Sequence, residues 1–105
     1  MHAERLRLER IRKDAYKTAL MLSETLVKDF HARRVVLLGS LLRKGDYREN
    51  SDIDLAVEGI TDRLFYKACG TCLMKSSYPV DLIDIGNASS LMKKNISKGK
   101  VLYEK

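Results

Sequence analysis

The stretch VVLLGSLLRKGDYRENSDIDLAV, residues 35–57, decides the fold. It opens with the apolar run Val35-Val36-Leu37-Leu38, which is short and ended by glycine, as a buried strand would be. Gly39 permits a tight turn and close approach to the backbone. Ser40 then reads as the N-cap of a short helix from Leu41, whose unpaired N–H groups would attract an anion such as phosphate. After eleven intervening residues, Asp52-Ile53-Asp54-Leu55 starts a second strand. Period-two geometry puts Asp52 and Asp54 on one face, roughly 6–7 Å apart, with Ile53 and Leu55 on the other. Two carboxylates on one face repel unless a cation lies between them, and oxygen donors of this kind suit Mg²⁺.

Outward from this stretch, the pattern alternates. Before it, Leu8, Ile11, Ala15, Ala19, Leu22, Leu26 and Phe30 recur at helical spacing, which predicts a helix from about Leu6 to Phe30, roughly 35–40 Å long. Its first turns outrun a small sheet. They are either a frayed start or a partner contact through Leu6, Leu8 and the neighbouring arginines. Between Gly45 and Ser51 a polar loop borders the carboxylates, and Arg43, Lys44 and Arg48 are the candidate phosphate contacts. After it, Thr61 is a candidate N-cap, and Leu64, Phe65, Ala68, Cys69, Cys72 and Leu73 form the buried side of a second helix that ends at Ser76-Ser77. Pro79 opens a third strand, where its missing N–H does least harm. Asp81 and Asp84 stand three apart on it and point to opposite faces, so only one can join the carboxylate pair. Asp84, at the strand end, suits a cap. Ser89 or Ser90 starts a last short helix with Leu91, Met92 and Ile96 inward. Gly99 is its expected C-cap, and Val101-Leu102-Tyr103 a terminal strand.

In bulk, 105 residues suit one domain, residues 1–105, and 45% hydrophobic content supplies a core. The net charge of +6 admits an anionic partner without demanding one, since the excess is spread along the chain. Nucleic acid is admitted on this ground but not favoured. No apolar run approaches the ~18 residues of a membrane span and the first residues are charged, so the expected location is the cytoplasm. Cys69 and Cys72 are spaced as a redox pair or half a zinc site. No second ligand pair accompanies them, and His2 and His31 are poorly placed, so they read as core residues.

The order strand, Gly39-Ser40, basic spacer, Asp52-Ile53-Asp54, later Val80-Asp81-Leu82 resembles the nucleotidyltransferase superfamily of DNA polymerase β. The small size is similar to the minimal nucleotidyltransferases, the antitoxin half of prokaryotic HEPN–nucleotidyltransferase pairs. The resemblance implies an α+β fold with a mixed β-sheet flanked by helices. It implies Asp52, Asp54 and Asp81 as catalytic metal ligands for two Mg²⁺ ions, with Gly39, Ser40, Arg43, Lys44 and Arg48 on the nucleotide. Leu41 stands where family members often carry arginine, and Arg43 and Lys44 are its substitutes. The implied reaction moves AMP from ATP to a hydroxyl, a tyrosine of a cognate HEPN toxin, as a type VII-like antitoxin would. Two alternatives are an antitoxin that neutralises by docking alone and a nucleotidyltransferase acting on a small molecule or an RNA end.

Overall fold

The structure, a computed structural model, describes residues 2–43, 47 and 51–105. A long helix α1 (His2–Phe30) leads into β1 (Arg34–Leu38) and a single 3₁₀ turn (Gly39–Leu42). Then come β2 (Ile53–Glu58), α2 (Asp62–Lys75), β3 (Val80–Asp84), a 3₁₀ turn (Ile85–Asn87), α3 (Ser90–Ile96) and β4 (Lys100–Glu104). The sheet order is β3-β2-β1-β4. β1 runs antiparallel to β2 and β4, whereas β2 and β3 are parallel. A parallel pair needs a crossover connection, and α2 supplies it. This is the mixed sheet with flanking helices that the sequence implies.

Period-two alternation sorts the strands into two cores. Val35, Leu37, Ile53, Leu55 and Val57 face α1 and α2 and meet Ala15, Ala19, Leu22, Leu26, Ala68 and Cys72. Val36, Leu38 and Ala56 face the other way, onto Ile85, Ile96 and the half-buried Met92. Each fully buried Leu, Ile or Val contributes about 1.5–3 kcal/mol, so the larger core holds most of the stability.

α1 follows the expected stripe, buried from Ala15 to Phe30. At ~1.5 Å per residue its 29 residues span about 43 Å, close to the longest molecular dimension of 46 Å. Residues 3–7 are exposed, and the Arg7–Glu4 ion pair there is exposed and worth little. Deleting residues 1–7 should therefore move the melting temperature by less than about 4 °C. Thermal circular dichroism checks this. A loss of ~10 °C would make the overhang part of the fold.

Several local expectations need correcting. Ser40 does not cap a helix. Gly39 turns the chain straight off β1 into a 3₁₀ turn that begins at Gly39 itself, and Arg43 N–H closes it on the Ser40 carbonyl at 3.1 Å. Thr61 does stand at the N-cap of α2, as expected, but gives it no side-chain bond; its carbonyl accepts from Leu64 and Phe65. Leu73 is 54% and Leu91 73% exposed. α2 buries only the narrow arc through Ala68 and Cys72, and the seven-residue α3 turns only Met92 and Ile96 inward. Gly99 is no helix cap: it lies against β1, where a Cβ would overlap Val36, the Leu37 carbonyl and Leu38. Asp84 does cap, accepting from Gly86 N–H at 3.1 Å and Asn87 Nδ2 at 2.8 Å.

Both cysteines are free thiols, Cys72 fully buried and Cys69 half-buried. Burial pushes both thiols up, Cys72 to about 11. Replacing both by Ala should cost on the order of 1–3 kcal/mol through lost packing and leave the metal content of the purified protein unchanged. Stoichiometric zinc that disappears on replacement would contradict this.

Candidate active site

The sheet register builds the site. Asp54 pairs with Leu38 across β1–β2 and with Asp81 across β2–β3. Paired residues on neighbouring strands project to the same face, with the strands about 4.8 Å apart. Asp54 and Asp81 therefore stand side by side, facing away from α1 and α2. Gly39 sits against Asp54, with φ at +80°, and a Cβ there would overlap the Asp54 carboxylate. Glycine meets two needs at this position, the left-handed turn and the space beside Asp54.

These residues open into a cleft of about 530 Å³ lined by Gly39, Arg43, Asp54, Asp81, Asn95 and Lys98, with Leu38, Leu42, Ile83, Met92 and Gly99 as its apolar walls. Asp52 lies just before β2, exposed, and outside the lining. Ser40 is half-buried in the turn and also outside the lining. Lys44 and Arg48 fall outside the described residues. Because the turn after Gly39 is one 3₁₀ turn, an anion there would be held by local backbone and side chains, not by a helix dipole.

Burial raises the Asp54 carboxyl to about 6, helped by the charges of Asp81 and Asp52. This is the signature of a carboxylate with too few positive partners. Among the described residues, no three His, Cys, Asp or Glu side chains gather closely enough to hold a metal ion. Mg²⁺ does not require such a cage: it binds through one or two carboxylates, retained waters and substrate phosphates. The Asp54–Asp81 pair, open to the cleft and acted on by the charge of Asp52, fits an ion that arrives with its phosphates.

Two tyrosines support the chain next to Asp52. The Tyr47 hydroxyl, in a ring almost fully buried, donates to the Ser51 carbonyl at 3.1 Å, tying the chain down next to Asp52. Its ring meets Tyr78 edge-on at 6.4 Å, and the Tyr78 hydroxyl donates to Asp14 of α1 at 2.5 Å. Burial pushes both phenols up, Tyr78 to about 12 with the Asp14 bond adding to it. The sequence reading missed Tyr47 and Tyr78 as supports, and Asn95 and Lys98 as lining. Two tyrosines flanking the strands of an acidic pair were a usable signal. Asn95 and Lys98 gave none, because β4 reaches its place beside β1 only through long-range pairing.

Comparison with known proteins bears directly on this geometry. A family model described as "Polymerase beta, Nucleotidyltransferase" matches residues 21–105. The chain belongs to that nucleotidyltransferase family. The match begins inside α1 and runs through β4, so it takes in every element that lines the cleft. Among solved structures, the chain is similar to a toxin–antitoxin with AMP-PNP, at a TM-score of 0.69 and 24% identity, over 82% of this chain and 73% of that one. It is also similar to the toxin–antitoxin MntA–HepT, at a TM-score of 0.64 and 21% identity, over 85% and 73%. At these identities the likeness carries the fold. No curated protein sequence matches the chain. No helix among the described residues is long and apolar enough to cross a membrane.

Proposed function

We propose that this nucleotidyltransferase moves AMP from ATP to a tyrosine hydroxyl of a cognate HEPN-type toxin and, in doing so, acts in the cytoplasm as an antitoxin. The observation that carries the reading is the in-register pair Asp54–Asp81 beside Gly39, in a cleft that also offers Arg43 and Lys98. The acceptor oxygen attacks the α-phosphorus, the bond to the β-phosphate breaks, and pyrophosphate leaves. Asp81, the more exposed of the pair, takes the acceptor proton. Arg43 and Lys98 hold the phosphates, with Lys44 and Arg48 as further candidates. Asp54 and Asp81, with the nucleotide's phosphates, would hold Mg²⁺, Asp52 being the third carboxylate that the resemblance implies; the ion would supply charge neutralisation and lower the acceptor's pKa. Positioning and electrostatics account for most of the rate in such transfers. The likeness to solved toxin–antitoxin structures, one of them with AMP-PNP, supports a toxin partner and ATP.

One observation favours a second reading. Leu41, next after Gly39-Ser40, is fully buried in the larger core, so no side chain reaches the phosphates from that position. A docking-only antitoxin would be built this way. ATP labelled at the α- or the γ-phosphate separates the two. Transfer to the purified partner from the α-label alone, abolished by EDTA, is expected. A stable complex with no transfer from either label would leave docking alone.

A further inference from the structure

Helix α2 carries a face that no other part of the described chain covers. Arg63, Tyr66, Lys67, Gly70, Leu73 and Met74 are spaced three, one, three, three and one apart, which brings them to one side of the helix. All are exposed, Tyr66 by 82% and Met74 by 89%. The buried side of α2 runs instead through Ala68 and Cys72. Large apolar side chains aligned on one outer face form a patch, which scattered single residues do not.

Gly70 is an independent observation. It sits in the interior of a 14-residue helix, where glycine is less favourable than alanine. Its φ is not positive, and a Cβ would meet nothing within 4 Å. Neither the backbone nor packing inside the chain needs a glycine there. A glycine on an outer helix face does allow another helix to approach closely. The charges choose the occupant. Among the described residues, Arg63 and Lys67 make no ion pair. A second copy would set these cations against each other, in a chain already at +6.

We propose that this face of α2 seats a helix of the acceptor protein, one with an apolar ridge flanked by Asp or Glu. The inference rests on the adenylylation reading above and deepens it by placing the partner. Tyr66 also lines a second cleft, of about 680 Å³, with Asp62, Phe65, Leu82 and Asp84. That cleft lies at the free edge of β3 and shares Ile83 and Met92 with the carboxylate cleft. A protein seated on α2 lies beside the route to Asp81 and Asp54.

Gly70→Ala, Gly70→Leu and the double variant Arg63→Glu/Lys67→Glu test this, with calorimetric titration of the purified HEPN toxin at two salt concentrations. Gly70→Ala should raise the melting temperature by a few degrees while weakening partner binding several-fold. Gly70→Leu should weaken binding by about tenfold or more. The double charge reversal should weaken binding and reduce its salt dependence. Labelling of the toxin with AMP by the wild type, together with unchanged affinity in all three variants, overturns the α2 seat and leaves the adenylylation reading standing. A wild-type chain that neither binds nor labels the toxin overturns both. A dimer of the chain alone that Gly70→Leu breaks makes a second copy the occupant and also overturns the proposal.

Discussion

Asp54→Asn is expected to melt above the wild type in EDTA and to gain almost nothing from Mg²⁺–ATP. The Asp54 carboxyl is raised from 3.8 to about 6 by burial and by its acidic neighbours. A raised pKa means that the folded state binds more protons than the unfolded chain between those values. Stability therefore falls as pH rises from about 4 to about 6 and stays lower above it. Two units correspond to about 3 kcal/mol at most; the side chain is partly exposed, so about 1–2 kcal/mol remains. Asparagine keeps the shape without the charge, so the variant should lack this acid-side slope. With ligand the order should reverse. At a hundredfold excess over its dissociation constant, Mg²⁺–ATP stabilises the native wild type by about 2.7 kcal/mol. The variant should lose most of that gain, and AMP transfer should fall on the order of a hundredfold or more. Melting curves with EDTA and with Mg²⁺–ATP, across pH 4–8, decide it. A variant destabilised in EDTA that still gains the full ligand shift would make Asp54 a structural residue.

Gly39→Ala should be among the most damaging single substitutions outside the cores. The backbone there has φ +80°, a region that costs an L-residue roughly 1–2 kcal/mol. The new Cβ also meets the Asp54 carboxylate, so either the turn or Asp54 must move. Together these should cost about 2–3 kcal/mol, a fall of ~10 °C or more in melting temperature for a domain of this size. Activity should be lost even at temperatures where the variant is folded, because the displaced group is the one we propose to face the nucleotide. Denaturant melts and labelling on the folded fraction separate these effects. A variant that melts near the wild type and labels normally would show the Gly39–Asp54 contact to be incidental.

Both variants act at positions that were legible before the fold was known. The turn and the acidic pair are local: Gly39 ends an apolar run, and the alternation Asp52-Ile53-Asp54-Leu55 assigns faces without tertiary information. Asp81 was harder. Its place beside Asp54 depends on the parallel register of β2 and β3, and it was reached through the family resemblance and the apolar Val80-Asp81-Leu82 frame. What stayed hidden was what distant parts of the chain bring. Lys98 and Asn95 enter the cleft because α3 and β4 fold back beside β1, and no local pattern announces that. Gly99 looked like a helix end but serves the close approach to β1. Leu73 and Leu91 looked like core by composition, yet burial is set by how wide an arc of each helix the sheet can cover. The serine cap failed for a related reason, since the left-handed Gly39 starts the tight turn one residue before Ser40.

We propose that the Asp54–Asp81 cleft transfers AMP to a partner protein. Intact mass spectrometry of the purified toxin, after incubation with the chain, ATP and Mg²⁺, tests this most directly. A mass gain of whole AMP units is predicted, mapping to tyrosine, absent with EDTA and absent with Asp54→Asn. A stable complex whose toxin mass never changes would contradict it.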